Sequence, residues 1–167
     1  MATQTGEEPG IEEEAVEPVE DPITGRAILS AIVGGVAGLI AMLPIAAGLP
    51  VLLGLFTLKA PVGFAFMVFA TPSPTLGALF FVIGGIAVLP LFFIVTATFL
   101  PPKSRPYLRG IPMATIFWPG FVIAFWPASD AMTNLAFLGI SLVSHWIYGL
   151  VMGSTLQYFT GIPEHDL

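Results

Sequence analysis

Residues 131–159 read AMTNLAFLGISLVSHWIYGLVMGSTLQYF. This stretch of 29 residues holds no acid, no lysine, no arginine and no proline. About 20 apolar residues suffice to cross the hydrocarbon core of a bilayer. Ser129 and Asp130 stand ahead of it as capping residues, and Gly161 followed by Pro163 is a stop signal. The reading is one uninterrupted transmembrane helix from about Ala131 to Phe159, the straightest in the chain and the centre of its packing.

Upstream, similar runs recur with prolines added. Arg109 to Asp130 encloses 20 uncharged residues, a rather short span with Pro112 in its first turn and Pro119 inside, where it should bend the helix. Lys59 to Lys103 encloses 43. Its first piece, Pro61–Thr71, has 11 residues. As a helix that is about 16 Å, too short to cross. Thr75 to Leu100 supplies a full span with Pro90 as an internal kink. Arg26 to Lys59 encloses 32 uncharged residues, with the best core from Ala27 to about Leu49. Pro44 and Pro50 predict a kink and then a break there. The expected fold is therefore an all-α membrane protein. It is a four-transmembrane-helix bundle over residues 26–160, with a short re-entrant or interfacial segment between helices 1 and 2 and a short C-terminal tail, 161–167.

Composition agrees. Charged residues make up 10% of the 167, against about 25% in a soluble domain. Hydrophobic residues make up 56%, and the mean hydropathy is +0.91. So little polar surface cannot cover a soluble globule of this size. The absence of cysteine excludes disulfides, thiolate metal sites and cysteine nucleophiles. Residues 1–25 hold eight of the eleven acids and no base, the pattern of a disordered acidic tail, solvating an exposed terminus or docking to a basic partner. The start lacks the basic n-region of a signal peptide, and its apolar stretch comes too late. Beyond the tail, five bases face three acids, a net of +2, with no basic stripe for nucleic acid. Four spans place Arg26, Lys103, Arg105 and Arg109 on one side and Lys59 on the other. That bias predicts a multi-pass cell-membrane protein with both termini cytoplasmic.

Helices associate in lipid where small residues let backbones approach. Gly34-x3-Gly38 and Ala31-x3-Gly35 lie in the first span, Gly77, Gly84 and Gly85 in the second, and Gly149-x3-Gly153 in the fourth. They predict packing within the bundle, or contact with a second copy or another membrane subunit. Two short matches, Ile32–Ala37 and Ile83–Ala87, do not establish an internal repeat. Phe117, Phe121 and Phe125 share one face of the third span, as lipid-facing or packing aromatics or as a wall against which a ligand stacks. Trp126 falls where an interfacial aromatic belt belongs.

On a wheel of about 100° per residue, Asn134, Ser141, Ser144, His145, Tyr148, Met152 and Thr155 form one stripe of the last span, while Trp146 points toward lipid. Polar groups in lipid are costly unless paired, so the stripe should face the bundle interior. His145 is the only ionisable side chain deep in any span. It reads as a neutral histidine hydrogen-bonded to a neighbouring helix, as a proton relay or quinone contact, or as a haem or metal ligand completed by a partner. Metal sites usually need three or four ligands, and the second histidine, His165, sits in the tail. No phosphate loop, zinc-protease motif, nucleophile elbow or buried carboxylate pair is present. No enzyme, resident cofactor or metal site is expected.

Several segments together carry a resemblance. They are Gly34-Gly35-Val36-Ala37-Gly38, the Phe-rich Gly63 to Phe69, Leu100-Pro101, Arg109-Gly110, and Ser144-His145-Trp146-Ile147-Tyr148-Gly149-Leu150-Val151-Met152-Gly153. Over residues 27–159 the chain resembles the small four-span membrane proteins of haloarchaea grouped as a family of unknown function. The most specific element is His-x-x-Tyr-Gly-x-x-x-Gly at His145 to Gly153. The resemblance implies companionship with haem–copper terminal oxidases and other respiratory components, and no activity. An acidic tail suits a salt-loaded cytoplasm; its length here departs from the pattern. The expected function is a non-catalytic accessory subunit of a respiratory membrane complex. The alternatives are a small oligomeric transporter or channel, or a haem- or quinone-binding membrane protein using His145.

Overall fold

The computed structural model describes residues 23–54, 60–127 and 129–162. Among them four helices are long and apolar enough to cross a membrane: Gly25–Leu52 (span 1), Pro74–Phe99 (span 2), Pro106–Phe125 (span 3) and Ala131–Phe159 (span 4). A separate short helix, Ala60–Phe69, precedes span 2, and no strand occurs among the described residues. The expectations for the acidic tail up to residue 22, for Lys59 and for His165 fall outside the described residues.

Span 4 is α-helical from end to end. Its start is fixed by Asp130, whose carboxylate accepts from the backbone N–H groups of Met132 and Thr133. The Thr133 hydroxyl donates to the same carboxylate at 2.7 Å. These donors, Thr133 foremost, hold the Asp130 carboxyl down to about 2. At the far end the N–H groups of Thr160 and Gly161 fold back onto Leu156 and Gln157. Gly161 there takes φ +74, a left-handed geometry that suits a residue without Cβ.

The break expected at Pro50 does not occur. Span 1 widens into a π turn, Pro44–Gly48, in which the Leu49 N–H reaches Pro44 O, five residues back. Proline lacks an N–H, and its ring strikes the carbonyl one turn earlier in a regular α-helix. The wider turn relieves that clash, and the helix continues to Leu52. Span 2 uses the same device. A π turn, Gly84–Val88, precedes Leu89-Pro90, and the Leu89 N–H bonds Gly84 O.

Spans 1 and 4 make the most extensive interface, span 2 packs on span 1, and span 3 packs on span 4. Glycines set these distances. A Cβ on Gly34 would lie 2.9 Å from Met152 O, and one on Gly38 would lie 2.7 Å from the Tyr148 ring. On the adjoining face, a Cβ on Gly35 would lie 2.6 Å from Gly85 O and 2.5 Å from the Pro90 ring. Gly85 lies under Leu39, at 2.8 Å by the same measure. Gly149 of span 4 and Gly110 of span 3 each occupy the space a Cβ of the other would need, and Gly153 meets the Tyr107 carbonyl similarly. Gly84, grouped with these by sequence, has open space where its Cβ would stand. It is not a packing glycine.

Spans 2 and 3 are different. Their backbones scarcely meet. Phenylalanine rings bridge them, Phe81 to Phe121 at 5.8 Å and Phe92 to Phe117 at 5.2 Å. The short helix lies against both spans, with Phe64 on Phe125 and Phe69 on Phe80.

Candidate functional site

The separation of spans 2 and 3 leaves a cleft of about 470 Å³. Leu39 and Met42 of span 1, with His145 and Tyr148 of span 4, contribute to its lining, as do Phe81 of span 2 and Phe64 of the short helix. Phe117, Phe121 and Phe125, read from sequence as packing aromatics or a stacking wall, line it together along span 3. Phe80, Ile83 and Val88 also border the cleft and are exposed, so it opens sideways, where lipid would lie.

His145 is 6% exposed and sits near the middle of span 4, about 21 Å from either end at 1.5 Å per residue. Its Nδ1 lies 2.7 Å from the carbonyl oxygen of Ser141, one turn back in the same helix. The bond lies within span 4, whereas one of the three sequence readings gave it to a neighbouring helix. A carbonyl only accepts, so Nδ1 carries the hydrogen and Nε2 the lone pair. Nε2 has no hydrogen-bond partner among the described residues. The ring sits at a steep angle to Phe121, with centroids 4.7 Å apart.

Tyr148 ties span 4 to span 2, its hydroxyl donating to Gly85 O at 2.7 Å. The π turn explains why that carbonyl is available. The Leu89 N–H has gone to Gly84, and Pro90 has none to give. The wide turn that accommodates a proline thus leaves an acceptor, and tyrosine fills it.

The rest of the stripe is mostly spent locally. Ser144 and Thr155 donate to Ile140 O and Val151 O of their own helix, each at 2.7 Å. Thr155 is only half-buried, and Met152 is fully buried against Gly34. Ser141 accepts from Trp118 Nε1 at 2.9 Å. Asn134 leaves the stripe altogether. Its amide donates to Ser129 O at 2.9 Å and closes the helix cap. Trp146, expected to face lipid, is half exposed yet donates to Thr115 of span 3 at 2.9 Å. Trp126 is exposed at the end of span 3, edge-on to Phe137. Arg109 is buried and donates to the carbonyls of Pro102 and Lys103, a role the sequence reading did not give it. No cluster of three or more His, Asp or Glu side chains fit for a metal occurs among the described residues.

A family of unknown function, DUF6789, matches residues 25–167. The chain belongs to DUF6789. The match begins at Gly25, the first residue of span 1, so the DUF6789 portion contains all four spans, the short helix and the cleft. No curated protein and no solved structure matches this DUF6789 protein.

Proposed function

We propose that this DUF6789 protein is a non-catalytic accessory subunit of a membrane complex, of the respiratory, haem–copper oxidase type. The observation that carries the non-catalytic reading is how the interior polar groups are used. Ser144, Thr155 and Nδ1 of His145 bond their own helix, and Tyr148 bonds a carbonyl that would otherwise be bare. Proton and ion paths usually string several ionisable or hydrated groups together. Here, among the described residues, no Asp, Glu, Lys or Arg lines the cleft beside His145. Span 2 is the most apolar span and the least covered by the rest of the chain, which suits contact with other membrane subunits. The respiratory assignment follows from the resemblance alone.

Mild-detergent purification from native membranes, with mass spectrometry of what accompanies the protein, tests this reading. Stoichiometric oxidase subunits, and loss of oxidase haem from membranes lacking the protein, are expected. A protein that purifies only with itself and carries ions across proteoliposome membranes is a transporter or channel instead.

A further inference from the structure

Beyond any role in a complex, the chemistry of the cleft selects a ligand. We propose that it binds a membrane-soluble molecule with a phenolic head and an apolar tail, the quinol class, whose hydroxyl donates to Nε2 of His145.

Three observations define that ligand. The first is Nε2 itself. With the Nδ1 hydrogen given to Ser141 O, Nε2 presents a lone pair at the cleft lining, on a side chain only 6% exposed. Nε2 is open to the cleft rather than sealed among side chains, so an entering donor can reach it. An acceptor selects a donor: a hydroxyl fits and a quinone carbonyl does not. The second is the lining. Phe81, Phe117, Phe121 and Phe125 present rings to whatever occupies the cleft, and aromatic groups pack on them in offset or edge-on geometry. The third is depth. His145 lies about 21 Å from either end of its helix. A phosphate or carboxylate headgroup placed so deep would be uncompensated, because among the described residues no lysine or arginine lines the cleft. The same absence disfavours haem, whose two propionates need cationic or aqueous surroundings. The sideways opening lets a long apolar tail run out between spans 2 and 3 into lipid.

The test uses the full chain with 15N-labelled histidine in phosphatidylcholine nanodiscs. Only two histidines exist, so a His145→Leu sample assigns the resonances. Decylubiquinol kept reduced is the probe, with decylubiquinone as its oxidised counterpart. We expect the Nε2 resonance of His145 to move and saturate with the quinol. The quinone should bind at least about tenfold more weakly, the worth of one hydrogen bond near 1.4 kcal/mol. Gly84→Leu is the second variant. Gly84 borders the cleft with nothing near its Cβ, so leucine fills the cleft and leaves helix packing alone. It should abolish the quinol response in a protein of unchanged unfolding midpoint. An unmoved Nε2 resonance, equal response to quinone, a response that survives Gly84→Leu, or a Soret band on adding haemin would each overturn the proposal.

Discussion

Replacing Tyr148 with phenylalanine removes one oxygen atom and should destabilise the bundle more than an average interhelical bond would. Such bonds average about 0.6 kcal/mol in membranes because both partners find substitutes. Gly85 O has no substitute. Its α-helical donor, the Leu89 N–H, is committed to Gly84, and its π-helical donor would be Pro90. The carbonyl is therefore stranded, and a stranded buried acceptor costs about 1–3 kcal/mol. We expect about 1.5 kcal/mol for Tyr148→Phe. The same reasoning predicts its cure. Pro90→Ala supplies an N–H, lets span 2 return to α geometry and gives Gly85 O to residue 89. In that background Tyr148→Phe should cost less than about 0.5 kcal/mol, leaving a coupling of about 1 kcal/mol. The cycle cancels the packing that Pro90→Ala loses against Gly35. Unfolding by sodium dodecyl sulfate from mixed micelles, followed by tryptophan fluorescence, measures all four proteins. Equal costs in both backgrounds would refute the claim that the π turn creates the acceptor.

Other outcomes follow from the same packing. Gly149→Ala should lower stability by about 3 kcal/mol, the upper end of overpacking costs, because backbone meets backbone there. Gly84→Ala should change it by less than about 0.5 kcal/mol, the scale of substitutions that touch nothing; similar values for the two would contradict the glycine assignments. The Asp130 carboxyl titrates lower in the folded chain, about 2 against an ordinary 3.8. Its cap is thus intact above pH 4 and is lost as pH falls through 2. Protection of the Met132 and Thr133 amides, relative to an unstructured chain at the same pH, should fall across that window, and Asp130→Ala should remove it at every pH. For topology, Gln4→Cys and Asp166→Cys should resist an impermeant thiol reagent in intact cells, whereas Lys59→Cys and Thr75→Cys should react. Labelling of either terminus from outside would sink the orientation with both termini inside.

Sequence reasoning reached the four spans because apolar length is set by bilayer thickness and needs no tertiary information. It reached the ends of span 4 because Asp130 and Gly161 act through their immediate neighbours. It set the short segment apart from the four spans because 11 residues make only about 16 Å of helix. It failed at Pro50, since a π turn is chosen by the helix geometry that packing allows and not by proline alone. Gly84 and Gly85 are indistinguishable in sequence, yet one faces Leu39 and the other faces open space. The cleft was half legible: His145, Tyr148 and the phenylalanine face of span 3 stood out, while Phe64 and Phe81 did not. Their role depends on spans 2 and 3 standing apart, which no local pattern encodes. The Leu-Pro pair following each π turn, Leu49-Pro50 and Leu89-Pro90, was the signal to read.

The pairing of spans 1 and 4 also sets an order of events at the ribosome. Span 1 emerges first, and its principal partner is complete only at Phe159, 107 residues after Leu52. At about 5–20 residues per second, that is a wait of about 5–20 seconds. Throughout it, the groove made by Gly34 and Gly38 has only lipid or insertion machinery for company. Span 2 arrives earlier and takes the Gly35 side, leaving the other face vacant. Spans 3 and 4, joined through Gly110 and Gly149, then close on it as a second hairpin. The last contact to form in synthesis is thus the largest in the finished bundle, and substitutions at Gly34 or Gly38 should leave a membrane-inserted chain with two unjoined halves.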